Sequence, residues 1–348
     1  MRTEETELLR RLPKTDLHIH LDGSLKPSTL VELAQAQGIE LPASGGEGMR
    51  PYMTVGDECA SLVDYLSKFH WASKVLHTAE ALERAAFELA EQAAEHGVRY
   101  VEVRLGPQLH REKGLAVDEV LLAAVRGLAR GEAAFGVKGR VIAACLRNHS
   151  VAANREVVEA AVRLRDQGVA AVDLAGPEAG HPPEAHRDAF APALQAGMPI
   201  TIHAGEAAGP ESVRGALEAL GANRIGHGVR TKENPALLAL VRERRVPLEM
   251  CPVSNIQTKA AADWESYPIR DYFDQGLFVT VHTDNMTVSN TDMTKEYAVL
   301  IDKYGFTMPE IGRLILNGVE AAFLDETEKA ELRKEFVREL RQLGIEVG

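Results

Sequence analysis

Eight short apolar segments rich in β-branched residues recur along this chain, at residues 15–20, 98–105, 140–146, 170–175, 199–203, 224–227, 247–252 and 278–283. Helical patterns lie between them. Leu82, Ala86, Leu89 and Ala93 repeat at helical spacing, as do Val117, Leu121, Val125 and Leu128. Gly97, Gly136, Gly168, Gly197, Gly221 and Gly276 each stand just before a segment, where a left-handed residue ends a helix and releases the chain into the next strand. Strands apolar on both faces must be covered on both faces. Strand and helix alternating eight times therefore predicts an α/β fold, a parallel sheet closed into a single (β/α)₈ TIM barrel.

Two stretches exceed the minimal repeat. About seventy residues, 21–97, separate the first two strands, far more than a strand-to-helix loop needs. They predict extra helices at 27–37 and 57–74, inserted over the mouth of the barrel. After the last strand, Thr307-x-x-Glu310 reads as a capping box, and 326–343 as a charged terminal helix. With no linker, low-complexity tract or repeat, the expectation is one barrel domain over 1–348.

Four clusters sit at strand ends: Asp16-Leu17-His18-Ile19-His20, His203-Ala204-Gly205-Glu206, Gly226-His227-Gly228 and Thr283-Asp284-Asn285. In a barrel of this kind, functional residues gather at the C-terminal ends of the strands. In His18-x-His20, both rings point to one side of an extended strand. Imidazoles with one carboxylate suit a divalent metal such as Zn²⁺, leaving a position for water, and a further His and Glu206 remain for proton work. A carboxyl group held away from bulk water at Glu206 has a raised pKa and can move protons.

The bulk properties exclude several classes. A formal charge of −12 argues against nucleic acid or an anionic membrane as partner. Cys59, Cys145 and Cys251 are odd in number and widely spaced, which excludes a disulfide framework and implies a reducing, cytoplasmic setting. The stretch Met1 to Arg11 is charged and lacks the apolar core of a signal peptide.

The clusters and their flanks carry a resemblance. Lys14-Thr15-Asp16-Leu17-His18-Ile19-His20-Leu21-Asp22-Gly23-Ser24, Tyr100-Val101-Glu102-Val103-Arg104, Asp173-Leu174-Ala175-Gly176-Pro177-Glu178, His203-Ala204-Gly205-Glu206, Arg224-Ile225-Gly226-His227-Gly228, Cys251-Pro252-Val253-Ser254-Asn255 and Thr283-Asp284 are similar to the marks of the adenosine deaminase family of metal-dependent barrel hydrolases. The resemblance implies one Zn²⁺ per chain held by His18, His20, His203 and Asp284. It implies catalytic roles for Glu206, His227 and Asp284: Glu206 facing purine N1, and His227 orienting the attacking hydroxide. It implies a substrate-facing set of His20, Asp22, Gly176, Glu206 and Asn285, with the Gly176 N–H meeting N3 and Asp22 the ribose. The expected partner is a small purine nucleoside, adenosine or 2′-deoxyadenosine, converted to inosine and ammonia in purine salvage.

Two positions depart from the family pattern. Asn285 stands where a second Asp is usual, and its NH₂ can donate to N7 directly. His282 stands where Asn is usual, and strand alternation turns it away from the ligands. A related 6-aminopurine, adenine or a modified nucleoside, is the alternative substrate. A two-metal amidohydrolase commonly has a lysine at the end of strand four, and none stands there. A cytidine-type zinc deaminase needs a Cys-x-x-Cys pair that Cys251-Pro252 does not begin. A nucleoside sensor would leave a complete site unused.

Overall fold

The computed structural model describes residues 3–56 and 58–347. Eight parallel strands form two four-stranded sheets, β1-β2-β3-β4 and β5-β6-β7-β8. The strands are β1 (Lys14–His20), β2 (Val98–Leu105), β3 (Lys138–Leu146), β4 (Val169–Ala175), β5 (Thr201–Ala204), β6 (Arg224–His227), β7 (Leu248–Met250) and β8 (Val279–Val281). One parallel bridge joins the sheets on each side, Val172 with Ile200 and Ile19 with Asp284. The Val172 N–H donates to Pro199 O at 3.1 Å. Across the other seam the Asp284 N–H donates to His18 O and the His20 N–H to Asp284 O, each at 2.8 Å. These single bridges turn two half-barrels into the predicted ring.

The six glycines expected before strands all stand at positive φ, between 62° and 103°. Pro199 and Pro247 lie just outside the strands assigned to them. Proline has no N–H for the ladder, yet both carbonyls accept, from Val172 and Ile225. The helices around the ring bury a continuous apolar layer that includes Leu82, Leu121, Val157, Phe190 and Val213.

The inner face of the barrel differs from the expected apolar one. Glu102, Arg104, Asp173, Thr201, Arg224 and Glu249 point inward, each 1 % exposed or less. They satisfy one another: Arg224 donates to Glu249 Oε1 and to Glu102 Oε2, both at 2.6 Å, and Thr201 to Glu249 Oε1 at 2.8 Å. Buried charges persist only where paired and fully hydrogen-bonded, and here the pairing also sets the layer beneath the site.

The insertion after β1 holds the expected helix Pro27–Gln37 and further helices at Gly45–Met53 and Ala79–Glu95. The helix expected over 57–74 is instead broken; Asp57 itself lies outside the described residues. A helix begins at Leu62 because Ser61 Oγ accepts from the Asp64 N–H at 3.2 Å. After Leu66 the chain tightens into a turn at Ser67–Phe69, where Ser67 Oγ donates to Asp64 O at 2.6 Å, and then resumes as His70–Val75. Glu310 Oε2 accepts from the Thr307 N–H at 2.8 Å, as the capping box predicts, and opens the helix Met308–Ala321. The terminal helix is Glu326–Gln342. Among the described residues no helix is long and apolar enough to cross a membrane, and all three cysteines are free and buried.

Candidate active site

At the C-terminal ends of the strands a cavity of about 880 Å³ opens beneath the inserted helices. His20, Asp22, Gly176, His203, Glu206, His227, Asp284 and Asn285 all line it. His18 lies one layer deeper and is fully buried. The strands thus bring the four sequence clusters to one place.

The ligand atoms of His18, His20, His203 and Asp284 lie within 4.8 Å of one another. His20 Nε2 is 3.2 Å from His203 Nε2, and Asp284 Oδ1 is 3.4 Å from His18 Nε2 and 3.3 Å from His20 Nε2. Donors bound at ~2.0–2.1 Å around a tetrahedral ion stand roughly 3.3 Å apart, so this set is spaced for one ion. His18 Nε2 has no hydrogen-bond partner despite its burial. An orphaned lone pair in such a cluster fits a cation. Cys251 lies beside a second grouping with His18, His227 and Asp284. Burial pushes its thiol pKa well up.

The outer nitrogens of two rings are tied back. His18 Nδ1 lies 2.8 Å from Glu249 Oε2, and His203 Nδ1 lies 2.9 Å from Asp173 Oδ2. A proton on each Nδ1 leaves each Nε2 lone pair aimed at the cluster. Arg104 donates to both carboxylates, at 3.0 Å to Glu249 and 3.1 Å to Asp173. Burial alone would raise the pKa of Asp173, but His203 and Arg104 outweigh it and hold the group ionised. Ser254 Oγ donates to Asp284 Oδ2 at 2.6 Å and fixes the carboxylate of the fourth candidate ligand.

Backbone strain places two of these groups. His227 and Asp284 are non-glycine residues at positive φ, 66° and 60°. Such conformations persist where surrounding contacts over-determine them. Gly226 beside His227 lets the strands pack closely: a Cβ there would press on the site, 3.0 Å from His18 Cε1 and 3.1 Å from His203 Cα.

Glu206 and His227 lie side by side. His227 Nε2 is 3.5 Å from Glu206 Oε2. Burial, then the nearby charges of Asp284 and Glu178, pushes the Glu206 pKa well above the usual carboxylate range. Burial and the neighbouring His18 push His227 the other way. Both shifts favour the uncharged forms, a carboxyl group beside a neutral imidazole. Asn255 decides the tautomer. Its Oδ1 accepts from the Cys251 N–H at 3.2 Å and from Tyr267 Oη at 3.0 Å, which turns its NH₂ toward His227 Nδ1 at 2.9 Å. His227 Nδ1 accepts, so the ring proton sits on Nε2, facing Glu206.

The two departures from the family pattern have different surroundings. His282 is fully buried beneath the ligands: its Nδ1 accepts from the Leu17 N–H at 2.9 Å, and its Nε2 lies 2.8 Å from Thr280 Oγ1. Asn285 donates to Tyr65 Oη at 3.0 Å, while its Oδ1 is packed over Gly23 with no donor. One N–H of the amide is therefore engaged and one remains. Asp22, with its pKa raised to about 6 by burial, accepts from the Gly23 N–H at 3.0 Å.

Sequence reasoning assigned no role to Tyr65, Glu178, Asp173, Glu249 or Asn255. Asp173 and Glu249 had a usable signal, a lone carboxylate inside an apolar strand. Tyr65 had none, because it reaches the site from an irregular insertion. His70 and His77 also line the cavity.

Known proteins resemble this chain over most of its length. A family model described as adenosine deaminase matches residues 13–339. An adenosine deaminase of Clostridium botulinum (strain Okra / Type B1) is 41% identical over 331 residues, covering 95% of this chain and 98% of that protein. One from Enterococcus faecalis is 41% identical over 330 residues, with 95% and 97% covered. Among solved structures, an adenine deaminase from Arthrobacter aurescens superposes with a TM-score of 0.87 at 29% identity, covering 95% of this chain and 99% of that one. An amidohydrolase from Burkhoderia ambifaria with bound Zn gives 0.90 at 26% identity, covering 99% and 94%.

Proposed function

This chain belongs to the adenosine deaminase family, and from that premise we propose how its residues convert adenosine or 2′-deoxyadenosine to inosine and ammonia. The enzyme is a metal-dependent deaminase; in our reading the metal is one Zn²⁺, held by His18, His20, His203 and Asp284. When bound there, such an ion supplies a water whose pKa is lowered to near neutral, a nucleophile available at physiological pH.

The side chains do the rest. C6 of a purine resists attack because addition breaks the aromatic ring. Glu206, protonated by virtue of its burial, donates to N1, and the ring becomes an electron sink for attack at C6. His227 carries its proton on the nitrogen turned toward the reaction centre and orients the incoming oxygen. Asp284, held by Ser254 and by its strained backbone, fixes the direction of attack. The oxygen added at C6 then gives up its proton to the amine, the C6–N bond breaks as the C6=O bond forms, ammonia leaves, and the 6-oxo purine remains. In this pose the Gly176 N–H meets N3, Asp22 the ribose, and His20 flanks the purine.

The observation that carries this reading is the Glu206–His227 pair beside a four-donor cluster, all but the deeper His18 lining one cavity. Ammonia release measured with adenosine, 2′-deoxyadenosine and adenine tests it. The nucleosides should be turned over fastest; a clear preference for the free base would overturn the assignment of substrate.

Asn285 gives a finer expectation. If its remaining N–H donates to N7, the 7-deaza analogue of adenosine leaves that buried donor unpaired, at a cost of ~1–3 kcal/mol, or roughly tenfold to a hundredfold in kcat/KM. Equal kcat/KM for the two compounds would mean that Asn285 serves only to hold Tyr65 and the loop.

A further inference from the structure

The loop that carries Glu206 is held from outside itself. Four successive backbone amides, Gly205 through Ala208, converge on the carboxylate of Glu178. The Gly205 N–H donates to Oε1 at 2.7 Å; those of Glu206, Ala207 and Ala208 donate to Oε2 at 3.0, 2.6 and 2.9 Å. Consecutive amides rarely point at one spot. Here Gly205, at φ 72°, turns the chain so that they do, and the concavity is matched to an anion. Glu178 is 2 % exposed and comes from the segment after β4, so it spans from one strand-end loop to the next. Arg147 braces the same junction, donating to His203 O at 2.6 Å and to His181 O.

We infer that Glu178 is a positioning residue for the deamination step: it clamps the 205–208 backbone so that the Glu206 carboxyl group meets the substrate ring nitrogen. This rests on the reading of Glu206 as the proton donor. The chemistry of the clamp requires a carboxylate. Both of its oxygens accept and neither donates, whereas an amide would turn its NH₂ toward at least one of the four N–H groups. A loop released by a fraction of an ångström still binds a purine, but a proton donor displaced by about 1 Å loses on the order of 10²-fold in rate.

The test uses the metal-loaded full chain carrying Glu178→Gln, with Glu178→Asp as a second variant that keeps the charge. For Glu178→Gln, kcat per bound metal should fall about 10- to 100-fold, with KM within threefold and metal content unchanged. Glu178→Asp should recover part of the loss. The decisive measurement is Glu178→Gln in a Glu206→Gln background: a clamp acting through Glu206 adds little there, less than about threefold. Equal losses in both backgrounds, a kcat within threefold of the parent, or a fall that only tracks lost metal would each overturn the inference. A variant pair that does not fold would make Glu178 a structural residue and overturn it too. Should Glu206→Gln itself stay active, the proton-donor reading fails first, and the two failures are told apart.

Discussion

Glu206→Gln is expected to give a folded, metal-loaded protein whose turnover is slower by ~10²–10⁴-fold, the usual worth of a positioned general acid. The substitution is isosteric, and the amide can still hydrogen-bond to the ring, so KM should change little. What it lacks is the proton. Burial keeps the parent carboxyl group protonated well above the ordinary carboxylate range, and His227, itself held neutral, cannot replace it as an acid. A loss of kcat without a comparable change in KM is the signature of an interaction made in the transition state. A variant that kept more than a tenth of the parental kcat would show that the acid lies elsewhere.

His203→Ala is the second large effect, and it acts on the metal. Removing the carboxylate behind a ligating histidine typically costs about 10–100-fold in metal affinity, and removing the ring itself costs more. The purified parent should hold close to one zinc ion per chain. The variant should hold a small fraction of that after dialysis against a mild chelator, with activity falling in step. Elemental analysis and assay of the same samples decide this. Two tightly held ions per parental chain would overturn the single-ion reading.

The parts of this molecule that are legible in its sequence are those governed by short-range rules. The strands show because β-branched residues cluster and a glycine ends each preceding helix. The four clusters show because in a parallel barrel every strand end faces the same mouth. His18 and His20 share a face by the two-residue period of a strand, whereas the same rule would put His282 on the side of Asp284; it is buried against Leu17 and Thr280 because β8 ends at Val281 and the backbone turns at Asp284, φ 60°. What was hidden depends on distance along the chain. Tyr65 meets Asn285 across 220 residues from an insertion with no periodic pattern. The helix expected over 57–74 is interrupted by single hydroxyl groups, at Ser61 and Ser67, that outbid helical continuity. The charged interior reads as strand from its β-branched neighbours, and only the fold reveals that Arg104, Arg224, Glu102, Asp173 and Glu249 pair with one another.

The two bridged seams bear on how the enzyme comes to hold its ion. His18 and His20 belong to the first half-barrel; His203 lies on the second, and Asp284 follows its last strand. Asp284 is also the residue whose backbone bonds to His18 and His20 across the seam. Parting the halves would therefore scatter the donor set, and neither half alone presents more than two of the four donors. An ion held by these four side chains would link its binding to ring closure and contribute its binding free energy to keeping the seam shut.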